Sequence, residues 1–340
     1  MVDEIPFGVL GVGRIGLFHC ERISSTPGLK LIAASSRAAD LTTAARDRFG
    51  VRTYSSHEEL IDDTNVQWLV IATTTDQHHR WALAALDKGK SLIIEKPIAL
   101  SHDAALEIYD KAAAKGVKVL PHNSRRWDRD FLLVRRVVDE GLVGKAYRIE
   151  SRRTSFSAGW AGWGAQGMAN PWRLKKAFGG GMLNDWAPHL VDQLLILART
   201  RPVSVYGWLG GKVWTEEVDD HFWAELTFDG GLSCRVEASN NHRIPLPRWS
   251  VVGTKGTFRV RGEDTDSWNE GELRSEFYGV RESRHFDFSG PELTDAFYPA
   301  FVEAVQNSRE LPITREQTLA VMKIIDLIKE SAARGTSVPA

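Results

Sequence analysis

The sequence predicts an α/β fold in two domains, and three observations carry the prediction. From the start to about Asn123, short apolar runs alternate with amphipathic helical stretches, the pattern of βαβ units around a mainly parallel sheet. Gly11, Gly13 and Gly16 sit between an apolar run, FGVL, and a helical pattern, GLFHCERI. Beyond residue 203 the texture changes to alternation in VSVYGWLG, HFWAELTF, LSCRVEAS and TFRVRG, as in antiparallel strands with one buried face. The expected architecture is therefore an N-terminal Rossmann dinucleotide-binding domain plus a C-terminal α/β domain with an open, mainly antiparallel sheet.

In chain order, strands are expected at residues 7–11, 29–35, 68–72, 91–95 and 118–120, with helices at 38–49, 78–88 and 101–115. Ser101 stands where a cap belongs, but no Glu follows at the third position to complete a capping box. After Ser124 come a helix at 131–140, a Gly- and Trp-rich stretch at 157–172, a helix running to Ala198, and the sheet from 203 to 260. A last helical pattern at 314–333 can pack on either domain. The boundary expected from the change in texture divides the chain into 1–123 and 124–340.

Composition narrows the function. A chain of 340 residues exceeds the ~250 at which single cores stop growing, so two cores are expected. With 43 basic against 44 acidic residues, nothing in the charge balance favours nucleic acid or an anionic membrane, which points to a small-molecule ligand. Cys20 and Cys234 lie far apart in no ligand spacing, so neither a disulfide framework nor a metal site is expected. The N-terminus is acidic where a signal peptide is basic, and no apolar run approaches ~18 residues. A cytoplasmic protein is the expectation.

The glycines have the G-x-G-x-x-G spacing of a dinucleotide turn, and the strand before and helix after supply its required context. Gly11 permits the tight turn, Gly13 lets backbone approach a pyrophosphate, and Gly16 lets helix and strand pack closely. Arg14 and Ile15 open the helix whose N-terminus faces the phosphates. About 20 residues on, where an NAD site offers a carboxylate to the ribose, this chain has Ser36 and Arg37, which suit the 2′-phosphate of NADP. NADP is the favoured cofactor. NAD stays possible if Arg37 is only a solvated cation and Asp40 reaches the ribose.

Two further motifs carry chemistry. Thr73 and Thr74 follow a strand at the carboxyl edge of the sheet, and His78 is either a cofactor contact or a plain helix residue. In SLIIEKPIAL, Glu95 and Lys96 end an apolar strand, which sends the lysine into the ligand crevice, and Pro97 restricts the backbone of Lys96. In GGGMLNDWAPH, Gly179 to Gly181 allow close backbone approach to a ligand, and Asp185 and His189, four apart, share a helix face. Pro188 bends that helix locally.

These motifs, in this order, resemble the glucose–fructose oxidoreductase / inositol dehydrogenase / rhizopine-catabolism (Gfo/Idh/MocA) dehydrogenase family over nearly the whole chain. RRWDRDF at 125–131, NPWR at 170–173 and HLVDQ at 189–193 are similar to its NADP-linked scyllo-inositol dehydrogenases. The resemblance implies a catalytic set of Lys96, Asp185 and His189. Thr74 and Ser124 depart from the proline and asparagine of many members, which bears on contacts to the nicotinamide half.

The reaction so implied is hydride transfer between a nicotinamide and a secondary hydroxyl of a sugar, sugar derivative or cyclitol. His189 is assigned as base, Lys96 as its partner at the same hydroxyl and Asp185 as orienter or ligand of a neighbouring hydroxyl. Arg173 is a nicotinamide-side or substrate contact, and Arg126 and Trp172 complete the substrate set. Trp160, Trp163 and Trp172 either line a sugar-stacking lid or fill an interface. The open sheet suggests a homodimer or homotetramer. Two alternatives remain: a glycosidase that retains NAD and works by transient oxidation, and a non-catalytic dinucleotide-binding regulator.

Overall fold

The structure is a computed structural model that describes residues 4–156, 172–261, 270–277, 280–287 and 296–340. The chain folds into two compact units, Met1–Asn123 with Asp295–Leu319 and Ser124–Thr294 with Ala320–Ala340. The first contains β1 (Ile5–Leu10), α1 (Arg14–Ser25), β2 (Leu29–Ser35), α2 (Ala39–Phe49), β3 (Arg52–Tyr54), α3 (His57–Asp62), β4 (Trp68–Ile71), α4 (Thr75–Asp87), β5 (Ser91–Ile94), α5 (His102–Lys115) and β6 (Val119–Pro121). Its strands form one parallel sheet in the order β3-β2-β1-β4-β5-β6. Phe7, Val9, Leu10, Leu69, Val70, Ile71, Leu92, Ile93 and Ile94 are fully buried, which is why these strands read as unbroken apolar runs. The short β3 and α3 were not expected from the sequence, since three residues are too few to show a strand period. Ser101 does cap α5, its Oγ accepting the Ala104 N–H at 3.3 Å without a reciprocal Glu.

The second unit adds α6 (Arg129–Asp139), β7 (Ala146–Thr154), α7 (Met182–Ala198), β8 (Pro202–Gly210), β9 (His221–Phe228), β10 (Ser233–Ser239), β11 (Trp249–Gly253), β12 (Gly256–Val260), β13 (Glu270–Phe277) and β14 (Val280–Asp287). The chain closes with α8 (Phe297–Gln306), α9 (Arg315–Arg334) and β15 (Val338–Pro339). A nine-stranded sheet runs β14-β13-β12-β11-β7-β10-β9-β8-β15, antiparallel except for the β7–β10 pair. Phe222, Ala224 and Leu226 alternate with His221, Trp223 and Glu225, so one face is apolar and buried and the other polar. α7 packs on β7, β9 and β10.

Residues 295–319 cluster with the first unit, beyond the boundary expected at 123/124 but in keeping with a C-terminal segment able to pack on either domain. The cause is aromatic packing by α8: Phe301 sets its ring edge-on to Trp68 at 4.7 Å and to Phe7 at 5.7 Å, and Phe297 does the same to His122 at 4.5 Å. α9 begins in the first unit, where Thr318 accepts the Tyr109 hydroxyl at 2.9 Å, and ends in the second, where Ser331 accepts the Gly207 N–H.

Candidate active site

In the first unit, four candidate segments follow parallel strands and so share one edge of the sheet: the glycine turn after β1, Ser36–Arg37 after β2, Thr73–Thr74 after β4 and Glu95–Lys96 after β5. The strand order reverses between β1 and β4, which is where dinucleotides bind in such sheets. Gly11 has φ +96° and donates its N–H to the Ser35 carbonyl at 2.9 Å, which ties the start of the turn to the end of β2. At Gly13 a Cβ would meet no atom within 4 Å, and no side chain caps the N-terminus of α1, so backbone N–H groups there suit a pyrophosphate. Arg14 is exposed and Ile15 half-buried in that first turn.

Gly16 is needed for packing. A Cβ there would stand 2.1 Å from the Gly11 carbonyl oxygen, and backbone cannot yield as a side chain does. Gly16→Ala is expected to cost about 3 kcal/mol of stability and to abolish dinucleotide binding. Thermal melts and cofactor titration check this, and a variant with native values for both would show that the turn tolerates a methyl group.

At the end of β2, Ser36 is buried with its Oγ accepting the Ala38 N–H, while Arg37 and Asp40 are exposed. His57 is buried against Ser35, whose Oγ lies 2.8 Å from Nδ1. Burial, then the charge of Arg37, lowers the His57 pKa, which keeps the imidazole neutral beside the arginine. Thr73 and Thr74 are half-buried, Thr74 being the N-cap residue of α4.

Two residues of this edge, His78 and Glu95, have their polar atoms partnered within the protein. His78 is buried with Nδ1 2.8 Å from the Pro97 carbonyl and Nε2 3.2 Å from that of Thr73, so it links α4 to the lysine turn and its ring meets protein backbone. Glu95 is also buried: its Oε1 accepts from His122 Nδ1 at 2.7 Å and His19 Nε2 at 2.9 Å, and its Oε2 accepts the Lys96 N–H at 3.1 Å. The Lys96–Pro97 peptide is cis, and Lys96 is half-buried. His19 and His122 were missed by sequence reasoning because a lone histidine in a helix or strand end carries no spacing signal.

Burial lowers the pKa of both His19 and His78 from the ordinary 6.5. For His19 the nearby His122 adds to that shift, while Glu95 opposes it; for His78 two backbone carbonyls oppose it. Below pH 6.5 the unfolded chain therefore takes up protons that the folded chain resists. Stability is complete above that value and falls as the pH drops toward the folded-state pKa, by about 1.4 kcal/mol per pH unit for each such histidine. Asp219 and Asp128, whose carboxyls burial pushes up to about 6, take up protons in the folded chain over the same range and offset part of that loss. The check is therefore on the rings themselves: imidazole NMR signals of His19 and His78 should stay those of the neutral form at pH 6, and protonation of either there would contradict its neutral burial.

In the second unit, α7 carries Asp185 in its first turn and His189 one turn later. Asp185 is partly buried and accepts from Arg173 Nε at a long 3.4 Å; His189 is buried against Trp186, ring centroids 6.0 Å apart. The helix runs on through Pro188. Two of the three glycines meet the chain itself: a Cβ at Gly180 would strike the Arg173 carbonyl at 2.2 Å and one at Gly181 the Asp219 carboxylate at 2.4 Å, while Gly179 has φ +72°. Asp219, also missed, anchors the helix start by accepting the Leu183 N–H at 2.7 Å, and the Asp219 carbonyl accepts that of Met182. Burial pushes its carboxyl up to about 6, against the pull of the Leu183 N–H.

Arg126 is placed differently from the expected substrate contact: its guanidinium makes a bidentate pair with Asp192 at 2.6 and 2.7 Å and is nearly buried. This pair and the Gln193 amide, which donates to the Arg125 carbonyl at 2.6 Å, bind α7 to the segment before α6. Trp172 is half-exposed under the Arg173 guanidinium, 4.5 Å from the ring centroid. Arg153 on β7 lies close enough to Asp185 for their charges to interact, and burial followed by Arg125 and Arg248 pushes its pKa down to about 10. Trp160 and Trp163 lie outside the described residues.

Residues 5–122 match the oxidoreductase family with an NAD-binding Rossmann fold, and residues 131–259 match the GFO/IDH/MocA C-terminal domain. The chain belongs to the GFO/IDH/MocA oxidoreductase family. Relatives within it include the uncharacterized oxidoreductase YdgJ of Escherichia coli K12, 29% identical over 98% of this chain and 97% of that protein. The NADP(+)-dependent scyllo-inositol 2-dehydrogenase IolW of Bacillus subtilis 168 is 25% identical, covering 97% of this chain and 94% of its own. Among solved structures, an NAD-binding protein from Listeria innocua superposes with a TM-score of 0.87 at 29% identity, covering 99% and 97% of the two chains. For this GFO/IDH/MocA member, no helix among the described residues is long and apolar enough to cross a membrane.

Proposed function

We propose that the chain is an NADP-linked dehydrogenase that oxidises a secondary hydroxyl of a sugar, sugar derivative or cyclitol, or catalyses the reverse reduction. The observation that carries this reading is Lys96 at the carboxyl edge of the sheet, two strands from the glycine turn. The bound nicotinamide supplies the hydride chemistry. Gly11, Gly13 and the first turn of α1 hold its phosphates, and Ser36 and Arg37 hold the 2′-phosphate. His189 takes the hydroxyl proton, Lys96 hydrogen-bonds the same oxygen and relays the proton, and Asp185 orients His189 or a neighbouring hydroxyl. Resemblance to IolW supports the cyclitol arm, and the choice of NADP rests on Ser36 and Arg37.

The test is reduction of NADP and of NAD by purified protein across inositols, aldoses and anhydrosugars, followed by the absorbance of the reduced nicotinamide. Turnover with one class and preference for NADP support the proposal. Glycoside cleavage without net reduction would replace it by the NAD-retaining glycosidase, and tight cofactor binding with no turnover on any substrate by the regulator.

The polar sheet face supports self-association. It bears a ladder of Arg148, Glu150, Arg152, Glu225, Arg235 and Glu237, paired at 2.5–3.3 Å, Glu237 buried and the others half-buried, beside Tyr206 and Trp223 with rings 5.4 Å apart. Light scattering should give the mass of a homodimer or homotetramer, and Trp223→Glu should lower it; a monomer for the parent protein would end this proposal.

A further inference from the structure

We infer that His19, Glu95, His122 and Tyr298 form a buried positioning network for Lys96, tying the lysine's backbone to the helix whose N-terminus receives the cofactor phosphates. The inference rests on the reading of Lys96 as an acid–base group.

The network has an unambiguous proton order. Glu95 is opposed in its ionisation by burial, yet the charge and hydrogen bonds of His122 and His19 hold its carboxyl well below the usual range. An ionised carboxylate can only accept, so His122 Nδ1 and His19 Nε2 both donate to Oε1. That leaves His19 Nδ1 as an acceptor, and the Tyr298 hydroxyl donates to it at 2.6 Å. Burial, reinforced by the Glu95 charge, keeps Tyr298 a phenol, as this donor role demands. His19 is fully shielded from solvent and the other three members nearly so.

A metal is the competing explanation for two histidines and a glutamate at one point. Zinc bonds of about 2.0–2.1 Å in a tetrahedral site hold ligand atoms ~3.3 Å apart, whereas here they lie 2.7 and 2.9 Å from the carboxylate oxygen. Those are hydrogen-bond separations, and a proton occupies each gap. The second oxygen of Glu95 is meanwhile taken by the Lys96 N–H. One carboxylate thereby joins α1 through His19, the end of β6 through His122, α8 through Tyr298 and the first peptide of the lysine turn. None of the four needs to touch substrate. Their effect is to fix where the Lys96 chain starts, and a displacement of about 1 Å at a reacting group costs up to about a hundredfold in rate.

The test compares substitutions that delete a donor with ones that replace it. His19→Leu and His122→Leu remove the N–H, while His19→Gln and His122→Asn offer an amide N–H at the same position. In full-length protein, three quantities are measured: the rate at which acetic anhydride labels Lys96, read by peptide mass spectrometry; NADP affinity; and kcat and KM. The leucine variants should change Lys96 labelling about threefold or more and lower kcat about tenfold or more, with NADP affinity and KM within about threefold. The amide variants should restore both labelling and kcat. Leucine variants that label and turn over like the parent would overturn the inference, as would amide variants no better than leucine, since the histidines would then only fill space. If the leucine variants fail to fold, Tyr298→Phe decides, because it deletes one hydroxyl: altered labelling supports the network and unchanged labelling overturns it. A parent protein with no turnover on any polyol, but with labelling that follows the donor pattern, would refute the dehydrogenase reading and leave the network standing.

Discussion

Lys96→Ala should reduce turnover by a factor of about a hundred or more while NADP affinity stays within several-fold. The expectation follows from where the lysine stands. It comes directly after β5, on the sheet edge that also carries the glycine turn, and its backbone is held by Glu95 through an N–H···O bond of 3.1 Å. Truncation removes the ammonium and leaves that backbone bond, the glycine turn and the Ser36–Arg37 segment in place, so the cofactor keeps its phosphate contacts. Steady-state kinetics and a cofactor titration on the same preparation separate the two effects. Parent-level turnover would sink the acid–base role, and a large loss of NADP affinity would reassign Lys96 to binding.

Arg37→Ala should weaken NADP about ten- to a hundredfold and leave NAD within about threefold. A charge-assisted hydrogen bond to a phosphate is worth roughly 1.5–3 kcal/mol, and each 1.4 kcal/mol is a factor of ten in affinity. Arg37 is exposed at the end of β2, and its charge is felt by His57, which burial already keeps neutral. Asp40 is in the first turn of α2, exposed as well. Were Asp40 the ribose partner, Arg37→Ala would alter NAD and NADP alike, so the ratio of the two dissociation constants decides between the residues. The difference in affinity should also shrink as salt is raised, because the pair is at the surface.

The parallel sheet was legible because its central strands are buried on both faces, which leaves near-continuous apolar runs such as Leu92 to Ile94. The glycine turn was legible because conformation and close approach each demand glycine, at Gly11 by its positive φ and at Gly16 by the Gly11 carbonyl. Less could be read where side chains find partners far away in sequence. His78 looked open to a cofactor and instead meets the Pro97 and Thr73 carbonyls; Arg126 looked open to a substrate and is held by Asp192. The glycines before α7 signalled close approach correctly, but the approaching groups are the Arg173 backbone and Asp219. β7 hid behind its charges, because Arg148, Glu150 and Arg152 alternate with inward residues on a strand whose partners, such as Ser233 opposite Arg148 and Trp249 opposite Ser151, come much later in the chain.

By itself, then, the sequence determined the fold class, the dinucleotide turn and the chemical type of the three acid–base candidates, since these depend on local periodicity, glycine sterics and residue identity. Tertiary structure alone decided that α8 belongs to the first unit, that Glu95 is held by His19 and His122 beneath Lys96, and that Asp219 anchors α7. Each of those rests on a contact between distant segments, and a buried polar group takes whichever partner the folded chain brings within hydrogen-bond reach.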